Sequence, residues 1–293
     1  MNFRIDINAL RAISVLSVFL YHLRNPINDM PLLSGGFLGV DIFFVISGFL
    51  ISKIINDEIE RTKKFNISAF YLRRFRRIFP AFFVMLLIVT FFSSGLLNLS
   101  DKINTFLSGI SSIFFVSNLY FWLSDIGYAE AEGINIFLHT WSLSVEEQFY
   151  IVLPLFLLFI SVLNRKFTFL LLFFTFSFFV SIYLSNNYSN FNFFNPISRF
   201  WEFLFGTFLA IYKKNLDLIK INDLFKNILI LISLSFIFLS FFTFEDSFKH
   251  PGLITLPVIF CCSLIICLFK NDLYIAQIFK LQIIQQLGSI SYS

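Results

Sequence analysis

Apolar residues make up 57% of these 293 positions, phenylalanine alone supplies 46 of them, and only 14% are charged. A soluble globular domain carries about 25% charged residues, so the solvent of most of this chain is lipid, and no stretch reads as a separate water-soluble domain. The net charge of +4 says little by itself; where the charges sit says more.

Apolar runs fall at 8–23, 33–52, 78–97, 103–123, 148–163, 167–184, 197–212, 227–244 and 251–269, and a last one starts near Leu287 and is cut short at Ser293. A membrane helix needs roughly 20 residues, and shorter runs recruit flanking aromatic or polar ends. Basic residues collect in cytoplasmic loops. Arg4 and the segments 53–77, 164–166, 213–226 and 270–280 hold seventeen of the 22 Lys and Arg residues. Only Arg24, Lys102 and Lys249 fall in 24–34, 98–102, 124–140, 185–198 and 245–250, and Arg11 and Arg199 lie inside spans. If 98–102 and 124–140 are both outside, 103–123 does not cross once. Gly109, its serines and the acidic loop after it (Asp125, Glu130, Glu132) favour a non-crossing element. The expected fold is all-α, a polytopic membrane bundle of about 8–10 transmembrane helices with a cytoplasmic N-terminus. The first run carries two ionisable residues and no small-residue cleavage site, so it reads as a retained span.

That first run, Asn8 to Leu23, holds Arg11 near its start and His22 near its end. Eleven residues at 100° each return almost to one helix face, about 16 Å further along. An ionisable group in hydrocarbon is costly unless it faces a cavity or partner, which makes both residues functional candidates. Next comes GGFLGVDIFFVISGFLI, residues 35–51, whose glycines permit close helix packing. Asp41 falls in the first turns of the second span, on the outer side with His22. It can orient an imidazole and stabilise its protonated form, or simply complement the helix dipole.

FYLRRFRRIFP, residues 70–80, places four arginines in five positions. In a helix Arg74 and Arg77, or Arg73 and Arg77, converge well enough for two guanidinium forks to hold one phosphate; alone, such a cluster also serves as an anchor against anionic lipid. In LHTWSLSVEEQFY, residues 138–150, Glu146 and Glu147 enter a span as candidates for acid–base or hydroxyl-positioning work. Trp141 and Tyr150 have the character of interfacial aromatics. Arg199 and Glu202 are spaced to pair within one helix. Cys261, Cys262 and Cys267 share one apolar run without metal-ligand or disulfide partners, and read as small packing residues.

FRIDINALRAISVLSVFLYHL, GGFLGVDIFFVISGFLIS, FYLRRFRRIFPAFF, HTWSLSVEEQFY, RFWEFLFGTFLA and LGSISYS, taken in this order, resemble the membrane acyltransferase-3 family. The likeness is to its bacterial O-acetyltransferases of surface polysaccharides, including lipopolysaccharide O-antigen. It is nearest the branch whose membrane domain is followed by an extracytoplasmic SGNH-type domain. Residues 1–293 then look like one membrane domain, truncated at its C-terminal end, with an SGNH-type partner domain on a separate chain as one way of completing it.

The resemblance implies a bacterial cytoplasmic (inner) membrane protein that uses acetyl-CoA as acyl donor, with no metal and no nucleic-acid partner. Its partners are membrane lipid and a carbohydrate acceptor, either a surface polysaccharide or a lipid-linked glycan. The family's Arg-X10-His signature falls on Arg11 and His22, and its Arg-X-X-Arg signature on Arg74 and Arg77. In this scheme Arg11, Arg73, Arg74 and Arg77 serve the donor. His22 is general base or acyl relay, assisted by Asp41, Glu146 and Glu147; Trp141, Ser142, Arg199 and Glu202 serve the acceptor. Two other readings stay open: a transporter or flippase of a glycan intermediate, and a non-catalytic remnant that binds without turnover. Against the transporter, the sequence shows no internal repeat.

Overall fold

The computed structural model describes residues 4–23, 30–124, 135–162, 165–245 and 248–291. Regular structure among them is helical. In chain order the helices are α1 Ile5–His22, α2 Leu38–Thr62, α3 Ile67–Leu96, α4 Leu99–Ile113, α5 Ser117–Leu123, α6 Thr140–Val162 and α7 Lys166–Asn187. They continue with α8 Ser189–Phe194, α9 Pro196–Asp217, α10 Asp223–Thr243, α11 Leu256–Leu268, α12 Ala276–Phe279 and α13 Gln282–Ile290. Asparagine starts several of them. Asn66, Asn98 and Asn222 accept the amides of Ala69, Asp101 and Leu224 at 2.9, 2.9 and 3.0 Å, which satisfies one orphan donor at each helix start.

Six of these helices, α1, α2, α3, α6, α7 and α10, are long and apolar enough to cross a membrane. The protein is an all-α, multi-pass membrane protein. Two further expected spans take a different form. Helix α9 has 22 residues but carries Arg199, Glu202, Lys213, Lys214 and Asp217, and the run 251–269 opens in turns, leaving α11 only 13 residues. The run 103–123 is two helices, α4 and α5, and neither reaches spanning length. The acidic residues Asp125, Glu130 and Glu132 lie outside the described residues, as does Arg24.

The chain divides into two compact units, Met1–Asp57 with Trp201–Tyr292, and Glu58–Phe200; the boundaries fall inside α2 and α9. In the first unit the helices meet backbone to backbone. A Cβ on Gly48 would lie 1.9 Å from the Phe203 carbonyl oxygen, and one on Gly206 would lie 2.0 Å from that of Val45. Each glycine therefore receives the other helix's main chain. Beside this crossing Phe44 stacks on Phe203 with centroids 4.4 Å apart, and the buried Ser52 hydroxyl donates to Thr207 Oγ1 at 2.8 Å. Gly36 and Gly39 do the same for α1, where an added Cβ would fall 2.2 Å from Ser17 O and 2.5 Å from Ser14 O. Lipid tails give helices no hydrophobic reason to associate, so such close approaches supply the van der Waals contact that holds them.

The second unit relies on hydroxyls and amides instead. Ser112 Oγ and Thr140 Oγ1 are 2.7 Å apart, Thr140 Oγ1 lies 2.9 Å from Ser117 Oγ, and Ser117 Oγ is 2.8 Å from Ser144 Oγ. This chain of hydroxyls ties α4, α5 and α6 together. The break between α4 and α5 places Phe115 at φ 54°, a region a bulky residue seldom adopts. Gln148 of α6 secures it, donating to the Phe115 carbonyl at 2.8 Å and to Asn118 Oδ1 at 2.9 Å. An apolar cluster of Phe82, Leu86 and Phe137 packs with Ile113, Phe115 and Leu143.

Gly48→Ala and Gly206→Ala should each destabilise the protein by about 1–3 kcal/mol through overpacking. Gly95→Ala, with nothing within 4 Å of the added methyl, should be neutral or slightly stabilising through helix propensity. Thermal unfolding of the purified variants in detergent checks all three.

Candidate functional site

In the first unit α1 ends at His22, which is half-buried with its ring edge-on to that of Tyr21 at 4.9 Å. The row of rings continues from Tyr21 to Phe37 at 5.8 Å and from Phe37 to His250 at 4.8 Å. His250 Nε2 then lies 3.1 and 3.0 Å from the two oxygens of Asp41, a residue wholly out of solvent in the first turn of α2. His22, Asp41 and His250 thus belong to one polar and aromatic cluster. The sequence reading singled out the first two and missed the third. The signal for it was available: His250 stands at the outer edge of its run, on the side assigned to His22 and Asp41.

Arg11 is buried in α1, and its Nη2 donates to the carbonyl of Ser291, at the C-terminal end of α13, at 2.8 Å. A guanidinium at a helix C-terminus complements the dipole there. Asn8, one turn earlier, reinforces the joint. Its Nδ2 donates to the Gln285 carbonyl at 2.7 Å and to Oε1 of the same residue at 3.0 Å, while Gln285 Nε2 donates to Ile5 O at 3.0 Å. A Cβ on Gly288 would lie 2.0 Å from Asn8 O. Of the segment LGSISYS, Leu287–Ser291 therefore sits against α1; Tyr292 and Ser293 lie outside the described residues. Arg4 pairs with Asp6, donates to Ile266 O at 2.7 Å and faces the Phe49 ring at 5.1 Å. Glu202 of α9 is wholly buried in this unit.

In the second unit the arginine cluster occupies the first turns of α3, where the helix begins eleven residues earlier than the apolar run that suggested it. Arg73 is exposed and pairs with Glu58 at 3.3 Å, a surface contact of small energy. Arg74 is half-buried and lies over the rings of Phe70 and Tyr150, 5.8 and 5.2 Å from their centroids. Tyr150 in turn donates its hydroxyl to Glu146. Glu147 is close enough for both Arg74 and Arg77 to act on its charge, and its Oε1 is buried without a hydrogen-bond partner among the described residues. The structure therefore gathers Arg74, Arg77, Glu146, Glu147 and Tyr150, from the starts of α3 and α6.

Arg199 is wholly buried and clasped by aromatics, with its guanidinium 5.2 Å from the Trp141 centroid and 5.0 Å from that of Phe193. Its Nε donates to the Phe193 carbonyl at 3.2 Å. Trp141 is held by Phe193 and Phe194, at 4.5 and 5.9 Å. Ser142 is half-buried and donates to the His139 carbonyl at 3.2 Å. Trp141 thus contacts a buried guanidinium in addition to any place at a membrane interface.

The family model for acyltransferase 3, an acyltransferase domain, matches residues 4–293. The chain belongs to the acyltransferase-3 family. It is similar to the peptidoglycan O-acetyltransferase OatA of Listeria monocytogenes serovar 1/2a, at 40% identity over 156 residues, 52% of this chain and 24% of the relative. It is also similar to the O-acetyltransferase OatA of Staphylococcus aureus strain NCTC 8325, at 37% identity over 158 residues, 53% of this chain and 24% of the relative. The matched stretch spans about a quarter of the length of these curated relatives. No solved structure matches the chain at a significant level. In this acyltransferase-3 chain, Arg11 and His22 stand on α1 in the first unit, and Arg74 and Arg77 on α3 in the second.

Removing one face of the aromatic clasp exposes its worth. Trp141→Leu should cost about 2 kcal/mol from the lost cation–π contact alone. Arg199→Lys should not restore stability, because an ammonium cannot stack as the planar guanidinium does. The thermal midpoints of both variants, compared with the parent in the same detergent, test this.

Proposed function

We propose that this protein transfers an acetyl group from acetyl-CoA to a hydroxyl of an extracytoplasmic glycan, either a surface polysaccharide or a lipid-linked precursor. The observation that carries the reading is the acyltransferase-3 match along residues 4–293, and the names of its relatives, one of them specific to peptidoglycan, point to a carbohydrate acceptor. In the proposed topology the N-terminus lies in the cytoplasm of a bacterium and the arginine-rich start of α3 faces the cytoplasmic donor. The greater length of the relatives leaves room for an SGNH-type domain as a partner.

The donor's phosphates suit Arg74 and Arg77, whose forks bind such groups bidentately, with Arg73 adding charge at the rim and Arg11 guiding the donor from α1. His22 acts on the acceptor. Its neutral imidazole takes the hydroxyl proton as the oxygen attacks the thioester carbonyl, the C–S bond breaks, and the imidazolium returns the proton to the departing CoA thiolate. An acetyl-imidazole relay is the other form of the same role. Asp41 stabilises the imidazolium. Glu146 and Glu147 orient hydroxyl or amide groups of the bound substrates, a task suited to the buried Glu147 Oε1, which has no hydrogen-bond partner among the described residues. Trp141, Ser142, Arg199 and Glu202 shape the acceptor side.

Transfer of label from radioactive acetyl-CoA to the host's surface glycan, followed in membranes, tests the proposal. His22→Ala should reduce transfer by roughly 10²–10⁴-fold and leave CoA binding intact; transfer at the parent rate would remove His22 from the chemistry. Arg74→Ala combined with Arg77→Ala should weaken CoA binding at least about tenfold, given the strength of charge-assisted hydrogen bonds. Unchanged affinity would reduce these arginines to membrane anchors.

A further inference from the structure

We propose that His250 and Asp41 form a buried imidazole–carboxylate pair that positions His22, which makes His250 a positioning residue of the acyl transfer. The inference rests on the reading of His22 given above.

The pair is well defined. His250 Nε2 stands almost equidistant from both Asp41 oxygens, at 3.1 and 3.0 Å, and the side chains are 9% and 0% exposed. With Asp41 ionised, its carboxylate only accepts hydrogen bonds, and Nε2 is then the donor of the pair. Asp41 already sits in the first turn of α2, where the helix dipole favours a negative charge. What His250 adds is direction, because a donor centred between the two oxygens fixes the plane of the carboxylate. These two residues are 209 positions apart, and no local preference brings them together.

The link to His22 runs through packing. Gly36 and Gly39 draw the start of α2 onto Ser14, Ser17 and Tyr21 of α1; a Cβ on Gly36 would meet the Tyr21 Cβ at 2.8 Å. Asp41 follows Gly39 by two residues, and Tyr21 immediately precedes His22. Phe37 fills the space between, edge-on to both His250 and Tyr21, and Tyr21 is edge-on to His22. Tyr21 is buried and Phe37 and His22 are half-buried, and rings packed edge to edge in this way restrict one another's rotation. The orientation of His250 on Asp41 is therefore passed along this row to the His22 imidazole.

The chain contains three histidines, so the full-length protein labelled with ¹⁵N in its imidazoles gives three resolvable sets of signals, assignable with His22→Gln, His139→Gln and His250→Gln. Asp41→Asn should shift the His250 and His22 signals together. His250→Phe, which keeps a ring but removes the donor, should shift those of His22 and lower kcat about tenfold, in the range of lost orienting contacts at other sites, with KM for acetyl-CoA unchanged. His250→Gln restores an N–H donor and should return both kcat and the His22 signals towards the parent. His22 signals that stay put in Asp41→Asn and His250→Phe would overturn the inference, as would parent kcat in His250→Phe. A protein that moves no acetyl group to any glycan, yet whose His22 signals follow both substitutions, would sustain the positioning and refute the proposed reaction.

Discussion

The contact of bare backbone on bare backbone is what the first unit depends on. Gly48 against Phe203 and Gly206 against Val45 leave no space for a methyl group between α2 and α9, and Gly36 and Gly39 bring α2 as close to α1. Helices at that distance can share short side chains. Ser52 reaches Thr207, and the buried carboxylate of Asp41 is held within hydrogen-bond range of a residue from a distant segment. A larger residue at any of these glycines would collide with the facing helix, whose main chain would have to shift.

The second unit meets the same demand by other means. Its helices carry serine, threonine, asparagine and glutamine where the first unit has glycine, and Ser112, Thr140, Ser117 and Ser144 hand a hydrogen bond from helix to helix. Polar side chains hold membrane helices together because hydrocarbon offers them no other partner. Gln148, two positions beyond the paired acids' first member, spends its amide on the kink at Phe115. The structure thus fixes α6 by the same stretch that presents Glu146 and Glu147, so that folding and site share one turn of helix.

Much of this was legible in the sequence. Hydropathy located the long helices, and the glycines of 35–51 announced close packing. Arg11 and His22 drew attention through the cost of charge in lipid, which depends on residue type alone. The rest was set by contacts between distant parts of the chain. His250 reads as a loop residue beside Lys249 until the fold sets it on Asp41. The aromatic clasp on Arg199 depends on Phe193, one among 46 phenylalanines. The apolar run 78–97 begins well inside α3, because hydropathy marks where a helix enters lipid, while the Asn66 cap marks where it begins.

The joint between Arg11 and Ser291 has a consequence in time. Its partners are 280 residues apart, and the flanking contacts of Asn8 with Gln285 span almost as many. Synthesis proceeds at about 5–20 residues per second, so α1 emerges and enters the bilayer many seconds before α13 exists. Throughout that interval the carbonyl that will meet Arg11 has yet to be made. The first of the described helices is thus also among the last to acquire its full set of contacts, and the α1–α13 joint closes only once the chain has been translated through Ser291.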